Sequence, residues 1–325
     1  MKIKNTFVHK KIIQFISHNK VLSSKSSILV SVSGGQDSIC LLKLLKDLQS
    51  TNNWKIYVVH FDHTWRTDSK TNSLFVQYLT IKWNFFFRLE QATSVLSEEQ
   101  ARIWRYSSMI TICKELKLNY IVTGHTQNDK IETMLYNIVK GSGFEGSTSI
   151  QNVSKITKTI TLVHPIVNLS RTETSWFCQK MSIPIWCDTT NFNYKISRNR
   201  IRQELIPYLK KYFNSNFEAS ISKFITNVKG DLQYLQKKSY YIYLNYKHPI
   251  FIGLNKSIFL ILTHNIQKRI IRIFIYQNIY LKLNSMQIKE CLSFIKKSQY
   301  KTKRISTTWY IYTNLNWIYL ISKNN

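Results

Sequence analysis

Acidic residues are scarce in this chain: 17 Asp and Glu stand against 46 Lys and Arg in 325 residues, a formal net charge of +29. Solubility alone does not call for such an excess, and it points to a polyanionic partner. Nucleic acid fits, because every neutralised phosphate releases counterions. AT-rich codon content, which enriches Lys, Asn, Ile and Tyr together, is a second source of the same bias. Cysteine is also sparse. Cys40, Cys113, Cys178, Cys187 and Cys291 are odd in number and contain no C-x-x-C pair, which excludes a disulfide framework and gives no zinc or iron–sulfur ligand pattern. No apolar run approaches the roughly 18 residues of a membrane span, and residues 1–11 lack the apolar stretch of a signal peptide. The expectation is a soluble protein of a reducing compartment with no membrane partner. The disorder signature is missing too, since 44% of residues are hydrophobic and 14% aromatic.

The charge is unevenly spread. Residues 219–325 hold 17 basic residues but only Asp231 and Glu290, a net of +15, about twice the density of residues 1–218. Composition shifts near Asn216. We therefore expect a catalytic domain over 1–215, including a basic helix at 197–213, and a basic region over 216–325 that binds nucleic acid.

Residues 27–141 alternate short β-rich runs with longer helical patterns, the mark of a parallel sheet wrapped by helices. Strands are expected at 28–32, 55–61, 85–87 and 120–123. Helices follow them near 39–48, 69–83, 97–117 and 128–140, with Ser97 and Gln100 forming a capping box. Ser170 and Glu173 open a further helix in the same way. The Gly-, Ser- and Thr-rich stretch 141–161 reads as a surface loop. The fold class is α/β, a doubly wound and mostly parallel sheet, with a smaller, mainly helical basic C-terminal region.

Ser33-Gly34-Gly35-Gln36-Asp37-Ser38 lies between the first strand and its helix. A parallel strand delivers this loop to the carboxyl edge of the sheet. Two glycines let backbone N–H groups approach a phosphate, and the helix N-terminus adds partial positive charge. Ser33 and Ser38 offer hydroxyls to the same anion. Asp37 would be repelled by a polyphosphate unless a cation such as Mg²⁺ lay between them. An ordinary strand-to-helix turn, with Asp37 as a helix cap, is the plainer alternative. The string lacks the Lys of G-x-x-x-x-G-K-[ST], which argues against a loop that grips a γ-phosphate.

Gly124-His125-Thr126-Gln127-Asn128-Asp129-Lys130-Ile131-Glu132-Thr133 follows the fourth strand. Asp129 and Glu132 share a helix face, and parallel strand ends bring His125 and both acids toward Asp37. His60 and Arg66, at the end of the second strand, are candidates for the nucleotide edge. Arg105, one turn after Arg102, is a candidate for contacting substrate.

These segments resemble the tRNA(Ile)-lysidine synthetases. The first is similar to the PP-loop of ATP pyrophosphatases, and the second matches G-H-x-x-x-D-x-x-E-T through His125, Asp129, Glu132 and Thr133. A later block, Trp186, Asp188, Thr190 and Asn191, then Tyr194, Arg198, Asn199, Ile201, Arg202 and Pro207, is similar to that family's W-x-D-x-[ST]-N…Y-x-R-N-x-[IV]-R…P pattern. The resemblance covers about residues 25–215. Asn128 stands where the family usually shows an Asp, and Thr126 where a second His is common.

The resemblance implies an adenine nucleotide alpha hydrolase-like PP-loop fold and a ligase. ATP would adenylate O2 of the wobble cytidine in the CAU anticodon of tRNA(Ile). Free L-lysine would then displace AMP, giving lysidine and changing decoding from Met to Ile. Catalytic roles fall to Asp37, His125, Asp129 and Glu132. ATP binding falls to Ser33, Gly34, Gly35, Gln36, Asp37, Ser38, His60 and Arg66. Mg²⁺ would lie among Asp37, Asp129 and Glu132, and tRNA would be held by Arg105, Arg198, Asn199, Arg200 and Arg202. The alternatives are another PP-loop tRNA-modifying enzyme, such as a thiolase, or a non-catalytic RNA-binding protein. Thiolases generally need catalytic or cluster cysteines, which Cys113 and Cys178 do not resemble. The residue bias and the missing transit peptide fit a plastid-encoded protein of the stroma, with the cytoplasm of a low-GC bacterium as the alternative.

Overall fold

The computed structural model describes residues 6–63, 68–93, 97–143, 146, 150–187, 194, 197–297 and 300–322. The chain divides into two compact units, Met1–Ile225 and Thr226–Asn325.

In the first unit, α1 (Phe7–Asn19) precedes β1 (Ser27–Ser31), α2 (Gln36–Asn52), β2 (Lys55–Asp62), α3 (Ser69–Lys82), β3 (Phe86–Gln91), α4 (Glu98–Glu115), β4 (Tyr120–Thr123) and α5 (Gln127–Val139). β5 (Val153–Lys155), β6 (Thr161–Val163) and α6 (Arg171–Lys180) follow. The sheet order is β3-β2-β1-β4-β6-β5, with only the β5–β6 pair antiparallel. Strand β1 is apolar without alternation because both its faces are covered. Ile28 and Val30 pack with Leu41, Leu45 and Phe177 on one side, while Leu29 packs with Met109, Ile112 and Cys113 of α4 on the other. From β1 the chain winds outward through β2 to β3, then crosses to β4 on β1's other flank. The β1 and β4 carboxyl ends are therefore the switch point at which such sheets hold ligands.

Three expectations needed correction. Stretch 141–161 is not loop throughout, since β5 and the start of β6 fall in it. Three-residue strands among Ser, Thr and Lys are too short to give a periodic signal. β3 runs on from its phenylalanines through Arg88 to Gln91, as an exposed edge strand where charge blunts further pairing. The basic helix is α7 (Ser197–Arg200), a π-helical turn at Ile201–Leu205, and α8 (Ile206–Tyr212). Pro207 explains the turn. It lacks an N–H and crowds the carbonyl four residues back, so the helix widens there, and Ile206 N donates to Ile201 O.

Helix α9 (Phe217–Tyr246) runs across the division between the units. The second unit then has β7 (Gly253–Asn255), α10 (Lys256–Ile261), α11 (His264–Ile279), α12 (Ser285–Lys297), β8 (Lys301–Arg304), β9 (Trp309–Thr313) and β10 (Trp317–Ser322). Its antiparallel sheet has the order β7-β10-β9-β8. Ile311, Ile318 and Leu320 bury one sheet face in a core with Ile270, Phe274, Ile288 and Leu292 of the helices. Among the described residues no helix is long and apolar enough to cross a membrane.

Candidate active site

After β1 the chain turns at Gly34, whose φ of 90° is the conformation a side chain resists. The space is closed as well, because a Cβ there would meet Asn72 Oδ1 at 2.4 Å. Asn72 Nδ2 donates to Ser33 O at 3.1 Å, while Ser38 Oγ accepts from Ser33 N and donates to Gly35 O. The loop is thus preformed. Helix α2 starts on Gly35 with no side-chain cap, so its first-turn N–H groups are left for an anion. Ser33, Gly35, Gln36, Asp37 and Ser38 line a cleft of about 630 Å³. Gly124, at the end of β4, abuts this turn so closely that a Cβ would lie 3.0 Å from Ser38 Cα.

Asp37, Asp129 and Glu132 do converge, but on a guanidinium. Arg171, the first residue of α6, donates to Asp37 Oδ2 at 3.3 Å, to Asp129 Oδ1 at 3.1 Å and to Glu132 Oε1 at 2.6 Å. Arg198 donates to Glu132 at 3.0 Å and to Asp129 at 3.2 Å. Arg202 donates to both Glu132 oxygens, at 2.8 and 3.0 Å. Three carboxylates thus meet three guanidiniums in a charge-balanced cluster. Around it, Asp37 Oδ1 accepts from Thr174 at 2.6 Å, and Gln36 Nε2 donates to Thr174 and to Arg171 O. The Gln36 side chain therefore braces α6.

Titration follows this geometry. Burial raises the carboxyl of Asp37 above the usual range, against the pull of Thr174 and Arg171. Burial also opposes ionisation of Asp129, but Arg171, His125 and Arg198 outweigh it and hold that carboxyl low. For Glu132 the opposing burial is outweighed by Arg202 and Arg171.

The three carboxylates expected to share a metal ion instead share guanidiniums in this structure. Among the described residues, no group of three His, Cys, Asp or Glu is placed to hold a metal. Glu132 is fully buried with both oxygens taken up by guanidiniums, and it is not part of the cleft wall. Asp37 and Asp129 do line the cleft. One or two carboxylates completed by phosphate oxygens are an ordinary magnesium donor set, and of the three acids Asp37 and Asp129 are the ones that face the cleft.

His125 lines the cleft. Its Nδ1 and that of His164 each share a 2.7 Å hydrogen bond with Thr123 Oγ1. Loss of hydration lowers His125 to about 4 and His164 to about 3, leaving both neutral near pH 7. His60 is not in the cleft wall: its ring is buried and bonded to Val32 O at 2.8 Å, bracing β2 against the loop. Arg66 lies outside the described residues, as do Asp188 to Asn191 of the later motif. Arg105 lines the cleft. The four residues proposed from the basic helix separate. Arg198 and Arg202 turn inward to the carboxylates, Asn199 is buried, and Arg200 is exposed and paired with Glu204.

In the sequence Arg171 and Thr174 stand out only as members of the helix that the Ser170–Glu173 capping box opens. The available signal was a cation in a helix first turn, where the dipole disfavours it. Ile185, Trp186 and Cys187 close the cleft, because Trp186 N donates to Gly34 O at 2.9 Å and its ring packs on Phe75.

The sheet order, the loop after β1 and the uncapped α2 define an ATP-binding PP-loop domain, and the family model of the PP-loop domain matches residues 4–209. A solved U34-tRNA thiolase, NcsA from Methanococcus maripaludis, superposes with a TM-score of 0.57 at 13% identity over 68% of this chain and 77% of its own, a likeness of fold. The tRNA(Ile)-lysidine synthase of the Pyropia yezoensis chloroplast is 38% identical over 98% of this chain and 97% of its own. That of Nostoc sp. is 42% identical over 71% and 68%. The chain belongs to the tRNA(Ile)-lysidine synthase family.

Proposed function

We propose that this protein uses ATP to join free L-lysine to C2 of the wobble cytidine in the CAU anticodon of tRNA(Ile), working in a plastid stroma. The observation that carries the reading is the uncapped α2 N-terminus at the β1/β4 switch point, facing a cleft shared with Asp37, His125 and Asp129. It suits a triphosphate presented at its α-phosphorus. Cytosine O2 attacks there, the bond to the bridging oxygen breaks, and pyrophosphate leaves. The lysine ε-amine then attacks C2, the C–O bond to AMP breaks, and the amine loses a proton. Adenylation makes a poor leaving oxygen a good one. Helix amides and the Ser33 hydroxyl hold phosphate charge, with Ser38 bracing the loop. His125, being neutral, orients a polar group of the substrate through its ring nitrogen.

Mg²⁺ held by Asp37 and Asp129 would offset the charge on departing pyrophosphate. Arg171, Arg198 and Arg202 keep the carboxylates in place, and exposed Arg200 and cleft-lining Arg105 are the arginines that meet tRNA. The chloroplast relatives support the plastid assignment. The test is incubation with ATP, unmodified tRNA(Ile) transcript and labelled lysine. Lysine should enter the tRNA as AMP and pyrophosphate appear, and a transcript that takes up no lysine overturns the reading.

A further inference from the structure

We propose that the outward face of the four-stranded sheet in the second unit is a stacking surface for unpaired RNA bases. The proposal rests on the tRNA reading above, but it concerns a site that the chemistry of the cleft does not use.

Side chains alternate across a strand. Because Ile311, Ile318 and Leu320 point into the helical core, Tyr310 and Tyr312 of β9, and Trp317 and Tyr319 of β10, point the other way. Pairing brings them together, with Tyr319 opposite Tyr312. The rings of those two tyrosines are within 19° of parallel with centroids 6.2 Å apart. The His248 ring lies 4.5 Å from that of Trp317, and Phe251 lies 5.1 Å from His248. None of the four strand aromatics belongs to the helix-packed core, and all are half-buried.

Two details mark the surface as built. Gly253 on β7 faces Tyr319, and a Cβ there would lie 2.8 Å from the Tyr319 ring, so glycine lets the ring lie flat across the neighbouring strand. His248 Nδ1 accepts from the amides of Ile250 and Phe251, fixing a turn that leaves Phe251 64% exposed.

Charge selects the occupant. Residues 226–325 carry 16 basic residues against Asp231 and Glu290, a net of +14, and Arg304 lies beside Tyr310 in the register. An apolar protein partner would gain little from that charge, whereas a polyanion with π faces gains from both features. Rings on a sheet face read unstacked bases in other RNA-binding folds, independently of ancestry.

The experiment uses the full chain and a labelled, unstructured 12-nucleotide RNA, with binding followed by anisotropy. The Tyr312→Ser/Tyr319→Ser pair is expected to weaken binding about tenfold or more. The matched Phe pair should bind as the parent protein does, since rings and not hydroxyls carry the contact. Phe251→Ala, at an exposed turn, should weaken binding a few-fold without altering thermal unfolding, which covers the case in which the Ser pair misfolds. Parent-like binding by the Ser pair and Phe251→Ala, or equal losses in the Ser and Phe pairs, overturns the proposal. So does a change in sedimentation of the Ser pair with RNA affinity intact, which would assign the face to a second copy of the chain. Lysine incorporation by the parent protein is scored separately, so failure of that reaction is distinguishable from failure of this surface.

Discussion

Arg171 Nη1 donates to Glu132 Oε1 at 2.6 Å, so a cation from the first turn of α6 meets an anion from α5 that two further arginines also hold. Glu132 has no exposed side-chain surface. Removing one partner of such a cluster leaves uncompensated buried charge, which costs about 3–5 kcal/mol. Glu132→Ala is expected to lose stability on that scale in urea titration, and Glu132→Gln less, because the amide still accepts from a guanidinium. A variant as stable as the parent would show the cluster to be dispensable for folding.

The basic helix splits by the same logic. Arg198 and Arg202 are engaged inward, so Arg198→Ala should lower stability. Arg200 is 62% exposed and paired with Glu204 one turn away, an interaction worth little. Arg200→Ala should leave unfolding within about 0.5 kcal/mol of the parent. It should weaken tRNA binding more than ATP binding and lower the salt slope of tRNA binding by about one unit. Equal losses for ATP and tRNA would remove Arg200 from the tRNA surface.

Much of this is legible in the sequence. Short apolar runs set between helical patterns located β1, β2 and β4, and the glycine string placed its loop at the sheet's edge, because those signals are local. Glu132 shows where local reading stops. Its spacing from Asp129 put the two acids on one helix face, but which cation they would meet depended on Arg171, Arg198 and Arg202, which lie 39 to 70 residues further on. His60 misled for the same reason: a histidine at a strand end looks like a ligand until the Val32 carbonyl is seen to take its ring nitrogen. β5 and β6 were hidden by their length, and the continuation of β3 past residue 87 by the charge that an edge strand tolerates.

His164 is held neutral by burial and by nearby His125, with its pKa down at about 3. In the unfolded chain it titrates near 6.5. Below that pH the unfolded state binds more protons than the folded one, so the stabilisation is complete above pH 6.5 and is lost as pH falls toward 3. Each histidine of this kind removes up to about 2 kcal/mol between pH 7 and pH 5. His125, lowered to about 4, acts in the same direction. His164→Gln should flatten the decline measured by urea unfolding across that range, and an unchanged slope would contradict the assignment.

Gly124 links the two halves of the cleft without a side chain. A methyl group there would sit 3.0 Å from Ser38 Cα, 3.1 Å from Ser38 N and 3.2 Å from Asp37 C. All three are backbone atoms in the first turn of α2, so nothing can rotate aside and the turn itself must move. Overpacking of this sort costs about 1–3 kcal/mol, but the larger expected effect is on ligand geometry, where a displacement near 1 Å changes rates on the order of a hundredfold. Gly124→Ala should therefore weaken ATP binding, measured by equilibrium dialysis, by about tenfold or more while the chain stays folded. Gly143→Ala is the matched control, since a Cβ at Gly143 has nothing within 4 Å, and it should bind ATP as the parent does. If Gly124→Ala also binds ATP normally, the α2 amides are not the phosphate-holding surface.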